Sequence, residues 1–176
     1  MRHYFPSDFS TDLWWAIPER LAGTSMPLLH PERYEAQQAP LEAFPDELPI
    51  LWEQGIRAVV CLLNMPGAIL AYTSAGFAFL HLPILDGAAP TLDQYREFSE
   101  FVSAQHALGQ AVAVHCVAGI GRTGTMIAGH LIQNSGMSPE EAVAHIRTLR
   151  PGAVETRVQW DFLFALAANR EASPGQ

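Results

Sequence analysis

The chain is short of several features that would each have pointed somewhere specific. It has two cysteines, Cys61 and Cys116, in 176 residues. That is too few for a disulfide scaffold in a chain this long and this apolar. Only 16% of the residues are charged, the formal net charge is −8, and no Lys/Arg-rich run occurs. General nucleic-acid binders and proteins that coat acidic membranes carry the opposite balance. No uninterrupted apolar run reaches membrane-spanning length, and Met1 to Ser10 is mixed and aromatic, without an apolar signal core. The histidines (His3, His30, His81, His106, His115, His130 and His145) show no His-x3-His spacing, and Cys-x2-Cys is missing, so neither a metal nor another cofactor is expected. There is no repeat and no low-complexity stretch. The expectation is a soluble monomer of a reducing cytoplasm, binding neither nucleic acid nor membrane.

What is present is 49% hydrophobic residues, enough for one globular domain with a real core. The whole chain, 1–176, reads as a single domain with a frayed tail from about 171. Near the start, two short strands flank a turn at Pro18. Pro27 to Pro45 reads as a long connection with a helical turn near Glu32 to Gln38, and Asp46 to Gln54 as a short helix stopped by Gly55. From there strands alternate with helices. Arg57 to Leu63 and Ala111 to His115 are continuous apolar runs, as in strands buried on both faces, and Phe77 to Pro83 is a third candidate. Thr91 and Gln94 form a capping box that opens a helix to about Leu108. A helix from about Arg122 to Asn134 is closed by Gly136. Ser138, Pro139 and Glu141 start another, to about Arg150. Pro151-Gly152 breaks the chain before a last helix over about Glu155 to Asn169. This alternation predicts a layered α/β domain: a central, mostly parallel sheet flanked by helices.

The chemically informative stretch is His115-Cys116-Val117-Ala118-Gly119-Ile120-Gly121-Arg122-Thr123-Gly124. A buried strand ends, a glycine-rich turn follows, and a helix begins. Backbone N–H groups of Val117 to Gly121 then converge on one spot at a positive helix end, which makes an anion site from main chain. Gly119, Gly121 and Gly124 let the chain curl without Cβ clashes. A thiol placed in that field ionises more readily, and a thiolate is a strong nucleophile. The guanidinium of Arg122 can grip two phosphate oxygens at once, which an ammonium cannot. Thr123 can hydrogen-bond the Cys116 sulfur and help it leave. His115 is placed to hydrogen-bond nearby backbone and shape the loop rather than to act as a base. Gly-x4-Gly-Lys-Ser/Thr is absent, so a nucleotide-hydrolysing P-loop has no anchor.

These residues resemble the protein tyrosine phosphatase superfamily, whose signature is His-Cys-x5-Arg-Ser/Thr-Gly. Their placement resembles its VH1-like dual-specificity branch, closest to the small atypical phosphatases of the VHZ type. Phe9-Ser10, Ile17 to Gly23, Gly121 to Met126 and Arg150 to Thr156 carry that likeness over nearly the whole chain. The resemblance implies a phosphocysteine intermediate on Cys116 and a general acid about thirty residues earlier. Asp86 fits, in a loop between a strand and Pro90, and a positioned carboxylic acid is what a leaving phenolate or alkoxide needs. Asp86 also reads as a plain turn residue before Gly87, and Asp93 is the weaker alternative acid. Leu85 stands where related sequences carry Pro, which loosens the loop. The resemblance also sets Glu155, Thr156 and Gln159 beside the phosphate loop, Glu155 tying down loop backbone, against the plain reading of a helix cap and a solvated face. Asn64 reads as a turn residue. Cys61 is either a buried small apolar residue or a redox partner of Cys116. The implied activity is hydrolysis of phosphotyrosine, with phosphoserine and phosphothreonine as further substrates, in peptides or proteins. The alternatives are a phosphoinositide, nucleotide or RNA 5′ phosphate, or a non-catalytic phosphate-binding module.

Overall fold

A computed structural model describes residues 13–26 and 48–172, without the side chains of the last two. The expected connection from Pro27 to Pro45, its helical turn and the start of the Asp46 helix lie outside the described residues, as do Phe9-Ser10 and the tail.

The elements run β1 (Trp14–Ile17), β2 (Leu21–Thr24), α1 (Leu48–Glu53), β3 (Ile56–Cys61), α2 (Ala68–Ser74), β4 (Ala78–His81), α3 (Leu92–Ala107), β5 (Ala111–His115), α4 (Gly121–Ser135), α5 (Pro139–Leu149) and α6 (Arg157–Ala172). Among the described residues the strands form one mixed sheet in the order β1-β2-β5-β3-β4. The edge strand β1 pairs antiparallel with β2, and every other pairing is parallel.

The apolar runs are continuous because both faces of the sheet are covered. Ala58, Val60, Val112 and Val114 point into a cluster with Phe98 of α3, Met126 and Ile127 of α4, Ile146 of α5 and Leu163 of α6. Their alternates Val59, Ala111 and Ala113 point the other way, against Leu48 and Leu51 of α1 and Ala68 and Tyr72 of α2. Period-two geometry sorts one unbroken apolar run onto two cores.

Both capping boxes read from the sequence are formed. The Thr91 hydroxyl accepts from Gln94 N, and the Ser138 hydroxyl from Glu141 N, each with the reciprocal bond. Helix α2 was not foreseen. Its N-cap is Gly67, with no side-chain cap, and Ile69 and Leu70 face outward. Burial of Ala68 and Tyr72, four residues apart on one face, holds it instead.

Register places the site. Thr24, His115 and Cys61 lie side by side at the C-terminal ends of β2, β5 and β3. The chain leaving the central strand β5 therefore emerges at the edge where open parallel sheets bind ligands.

Candidate active site

Cys116 is the first residue after β5 and Gly121 the first of α4, so the loop between them spans one strand end and one helix start. Its carbonyls are tied outward one after another. Cys116 O accepts from His115 Nδ1 at 3.2 Å. Val117 O accepts from Met26 N at 2.8 Å. Ala118 O accepts from the Arg150 guanidinium. Ile120 O accepts from Gly124 N at 3.0 Å and Val154 N at 3.5 Å. In a planar trans peptide the N–H opposes the C=O. Fixing these carbonyls outward turns the amides of Val117, Ala118, Gly119 and Gly121 to the opposite side, which the loop encloses. Gly119 has φ +66°, and a Cβ there would meet the Thr24 backbone at 2.5 Å. Only glycine fits that close approach.

His115 is fully buried, and burial pushes it down to about 4. It is therefore neutral, with the proton on Nδ1 for Cys116 O, which leaves Nε2 to accept from the Tyr72 hydroxyl at 3.0 Å. Both nitrogens are engaged, so it braces the loop and is no base. His130, buried under α3, is also lowered to about 4 by burial. Between pH 4 and 6.5 the unfolded chain binds protons at these two histidines that the folded chain refuses. Folding stability is then complete above pH 6.5 and falls as pH drops toward 4, by roughly 1 kcal/mol per pH unit per histidine. Melting curves from pH 7.5 to 4.5, with imidazole NMR titrations, check this. Titration of either ring near 6.5 in the folded protein would contradict it.

Arg122, on the first turn of α4, is only 6% exposed. Its Nη1 donates to Ile84 O at 3.0 Å, and its Nη2 pairs with Asp86 Oδ1 at 2.9 Å. The Asp86 side chain is 77% exposed, so the carboxylate reaches over the phosphate-loop arginine from the solvent side. Cys116 is 3% exposed. Cys116 and Arg122 both lie near enough to Cys61 to act on its charge.

Cys116 and Arg122 thus share one loop, and the Asp86 carboxylate reaches that arginine from a second segment of the chain. The family model described as Tc-R-P, polymorphic toxin system, DSP-PTPase phosphatase, matches residues 36–136. A mutant form of Tk-PTP superposes with a TM-score of 0.74 at 31% identity, over 89% of this chain and 95% of that one. The chain belongs to the dual-specificity and protein tyrosine phosphatase superfamily. Human dual specificity protein phosphatase CDC14A is 32% identical over 143 residues, 81% of this chain but 23% of its own length. Phosphatidylglycerophosphate phosphatase PTPMT1 of Arabidopsis thaliana is 33% identical over 122 residues, 66% of this chain and 36% of its own.

The other residues read from the sequence fall into place around this phosphatase loop, with corrections. Thr123 is fully buried, but its hydroxyl has no hydrogen-bond partner among the described residues, so the expected bond to the Cys116 sulfur is not formed. Glu155 does lie on the loop. A Cβ on Gly121 would sit 2.2 Å from its Oε2, so it packs against the backbone there rather than hydrogen-bonding it. Asp93 is exposed and pairs with Arg96 on the first turn of α3, away from Arg122. Asn64 is exposed in the turn after β3. Cys61 is a free thiol, as is Cys116, and burial pushes it up to about 12. It therefore stays protonated and is a poor attacking thiol.

Three supports were invisible in the sequence because no local pattern marks their bonds, two to main chain and one to the His115 ring. Arg147 donates to Ala153 O at 2.9 Å and Val154 O at 3.0 Å. It grips the chain where buried Val154 adopts φ 60°, a costly conformation for a β-branched residue. Arg150 and Tyr72 are the other two. The loosening expected from Leu85 is offset by anchors on either side of it: Ile84 N donates to Leu62 O at 3.1 Å and Ala88 N to Leu85 O at 3.1 Å.

Proposed function

We propose that this chain hydrolyses phosphotyrosine in peptides or proteins through a phosphocysteine at Cys116. The thiolate sulfur attacks phosphorus and the bond to the leaving oxygen breaks. Asp86 gives that oxygen its proton. A water then attacks the phosphocysteine, Asp86 takes the water's proton, and the S–P bond returns its electron pair to sulfur. Arg122 and the inward amides hold the equatorial oxygens throughout. The Thr123 hydroxyl, without a hydrogen-bond partner among the described residues, is available to the sulfur as it leaves. The observation that carries this reading is the Asp86–Arg122 pair at 2.9 Å, which puts the carboxyl on the group that grips phosphate. A phosphate ester that takes the guanidinium displaces the carboxylate toward the ester oxygen.

The substrate preference rests on the uncharged loop residues Val117, Ala118 and Ile120, and on a chain with no lysine, in which all ten basic residues are arginine. Polyphosphorylated inositols and RNA are served by more positive charge than this. Leu85, exposed beside Asp86, offers an apolar contact for an aromatic ring. The likeness of Phe9 to about Ala168 to the small VHZ-type phosphatases supports the same reading and a cytoplasmic setting. Similarity to a phosphatidylglycerophosphate phosphatase favours a second reading, a phospholipid monoester. A panel of phosphotyrosine, phosphoserine and phosphothreonine peptides with phosphatidylglycerophosphate and phosphoinositides separates them. Turnover highest on a lipid overturns the first reading.

Asp86→Asn tests the acid. Loss of a general acid costs on the order of 10²-fold or more where the leaving group needs a proton. Phenyl phosphate and phosphopeptides are therefore expected to slow by about that factor, and p-nitrophenyl phosphate far less. Equal slowing of both removes Asp86 from the role.

A further inference from the structure

We propose that Thr156 and Gln159 are positioning residues that hold the general-acid loop, using the cap of helix α6 as the clamp. The proposal rests on Asp86 being the acid.

Thr156 and Gln159 form a capping box at the start of α6, Thr-x-x-Gln in the sequence. The Thr156 hydroxyl accepts from Gln159 N at 3.4 Å. Gln159 Oε1 accepts in return from Thr156 N at 3.2 Å and from Glu155 N at 2.8 Å. In an ordinary capping box the remaining donors, the threonine proton and the glutamine NH2, face water. Here they do not. The Thr156 hydroxyl donates to Gly87 O at 2.8 Å, and Gln159 Nε2 donates to Ala88 O at 3.2 Å. Those two carbonyls belong to the residues directly after Asp86.

Position makes the clamp specific. Gln159 is fully buried, so its amide has no water to fall back on, and losing Ala88 O leaves a donor unsatisfied. Gly87 is in the left-handed region at φ +71°, and a Cβ there would lie 3.7 Å from Thr156 Cγ2. The turn after the acid is thus seated directly on the cap. The same cap reaches the phosphate loop, since a Cβ on Gly121 would lie 3.1 Å from Gln159 Nε2. One helix end therefore touches both halves of the site and fixes the acid's height above the loop. Arg122 holds the acid segment on the other side, at Ile84 O. A proton donor displaced by about 1 Å loses much of its effect, and the loss falls on steps that need the proton.

The experiment compares Thr156→Val, Thr156→Ser, Gln159→Glu and Asp86→Asn on phenyl phosphate and p-nitrophenyl phosphate. Thr156→Val removes the hydroxyl at constant shape, and Thr156→Ser keeps it. Gln159→Glu keeps the cap acceptor and removes the donor to Ala88 O. The expected result is a fall in kcat/KM of about tenfold or more on phenyl phosphate for Thr156→Val and Gln159→Glu, and under about threefold on p-nitrophenyl phosphate. Thr156→Ser is expected to stay within about twofold of the parent on both. If Thr156→Val does not fold, Gln159→Glu decides. Equal loss on both substrates, or none, overturns the clamp while Asp86→Asn still discriminates between them. If Asp86→Asn fails to discriminate, the acid assignment falls and the clamp with it.

Discussion

Cys116→Ser is expected to lower phosphate-ester turnover on the order of 10⁵-fold, while the loop still binds inorganic phosphate. The size of the effect follows from what surrounds the position. A serine hydroxyl must lose a proton to attack phosphorus, and the two nearest candidates to take it among the described residues are committed elsewhere. His115 is the adjacent histidine, yet its ring is neutral and committed on both sides, to Cys116 O and the Tyr72 hydroxyl. Asp86 is held on the Arg122 guanidinium, and the proposed mechanism assigns it to the leaving oxygen. Steady-state assays with p-nitrophenyl phosphate measure the loss. Titration calorimetry with phosphate shows whether the loop survives. Residual turnover above about one per cent would point to a different nucleophile.

Arg122→Lys is the second large effect, about 10³-fold on kcat/KM. Lysine keeps the charge and loses the fork. The guanidinium uses one arm on Ile84 O and the other toward Asp86, so it organises the acid segment and, where phosphate displaces the carboxylate, has in-plane N–H donors for its oxygens. A single ammonium on a flexible stem cannot hold the Ile84 carbonyl and bridge two phosphate oxygens together. The site is also nearly closed to solvent at this residue, so water cannot stand in for the missing arm. A loss below about tenfold would mean that charge alone suffices. Comparing KM with kcat separates weakened binding from a weakened transition state.

Much of the frame was legible in the sequence, for reasons tied to particular residues. The runs at Val59 and Val112 are apolar on both faces because two cores need them, so period and length announced buried strands. Ser138-Pro139 and Thr91 announced helix starts because caps are local, as were the glycines of the phosphate loop. Helix α2 escaped because nothing caps it. Its stability comes from Tyr72 docking on a sheet that only the tertiary fold supplies. The site divides the same way. Cys116 and Arg122 share one loop, and their spacing shows it. The Asp86–Arg122 pair joins residues 36 apart, and resemblance rather than local pattern suggested it. Arg147 and Arg150 act on carbonyls, which carry no side-chain signature. The start of α6 was read only as a helix cap or a stretch beside the phosphate loop, and the bonds of Thr156 and Gln159 to Gly87 and Ala88, some seventy residues earlier, leave no local pattern.

The phosphoryl group is expected to pass through the sulfur of Cys116. Mixing the protein with excess p-nitrophenyl phosphate, quenching in acid within milliseconds and mapping the digest by mass spectrometry tests it directly. The expected result is one phosphoryl group, on Cys116, absent from Cys116→Ser. Phosphate on another residue, or undiminished turnover by Cys116→Ser with no phosphoenzyme, would contradict it.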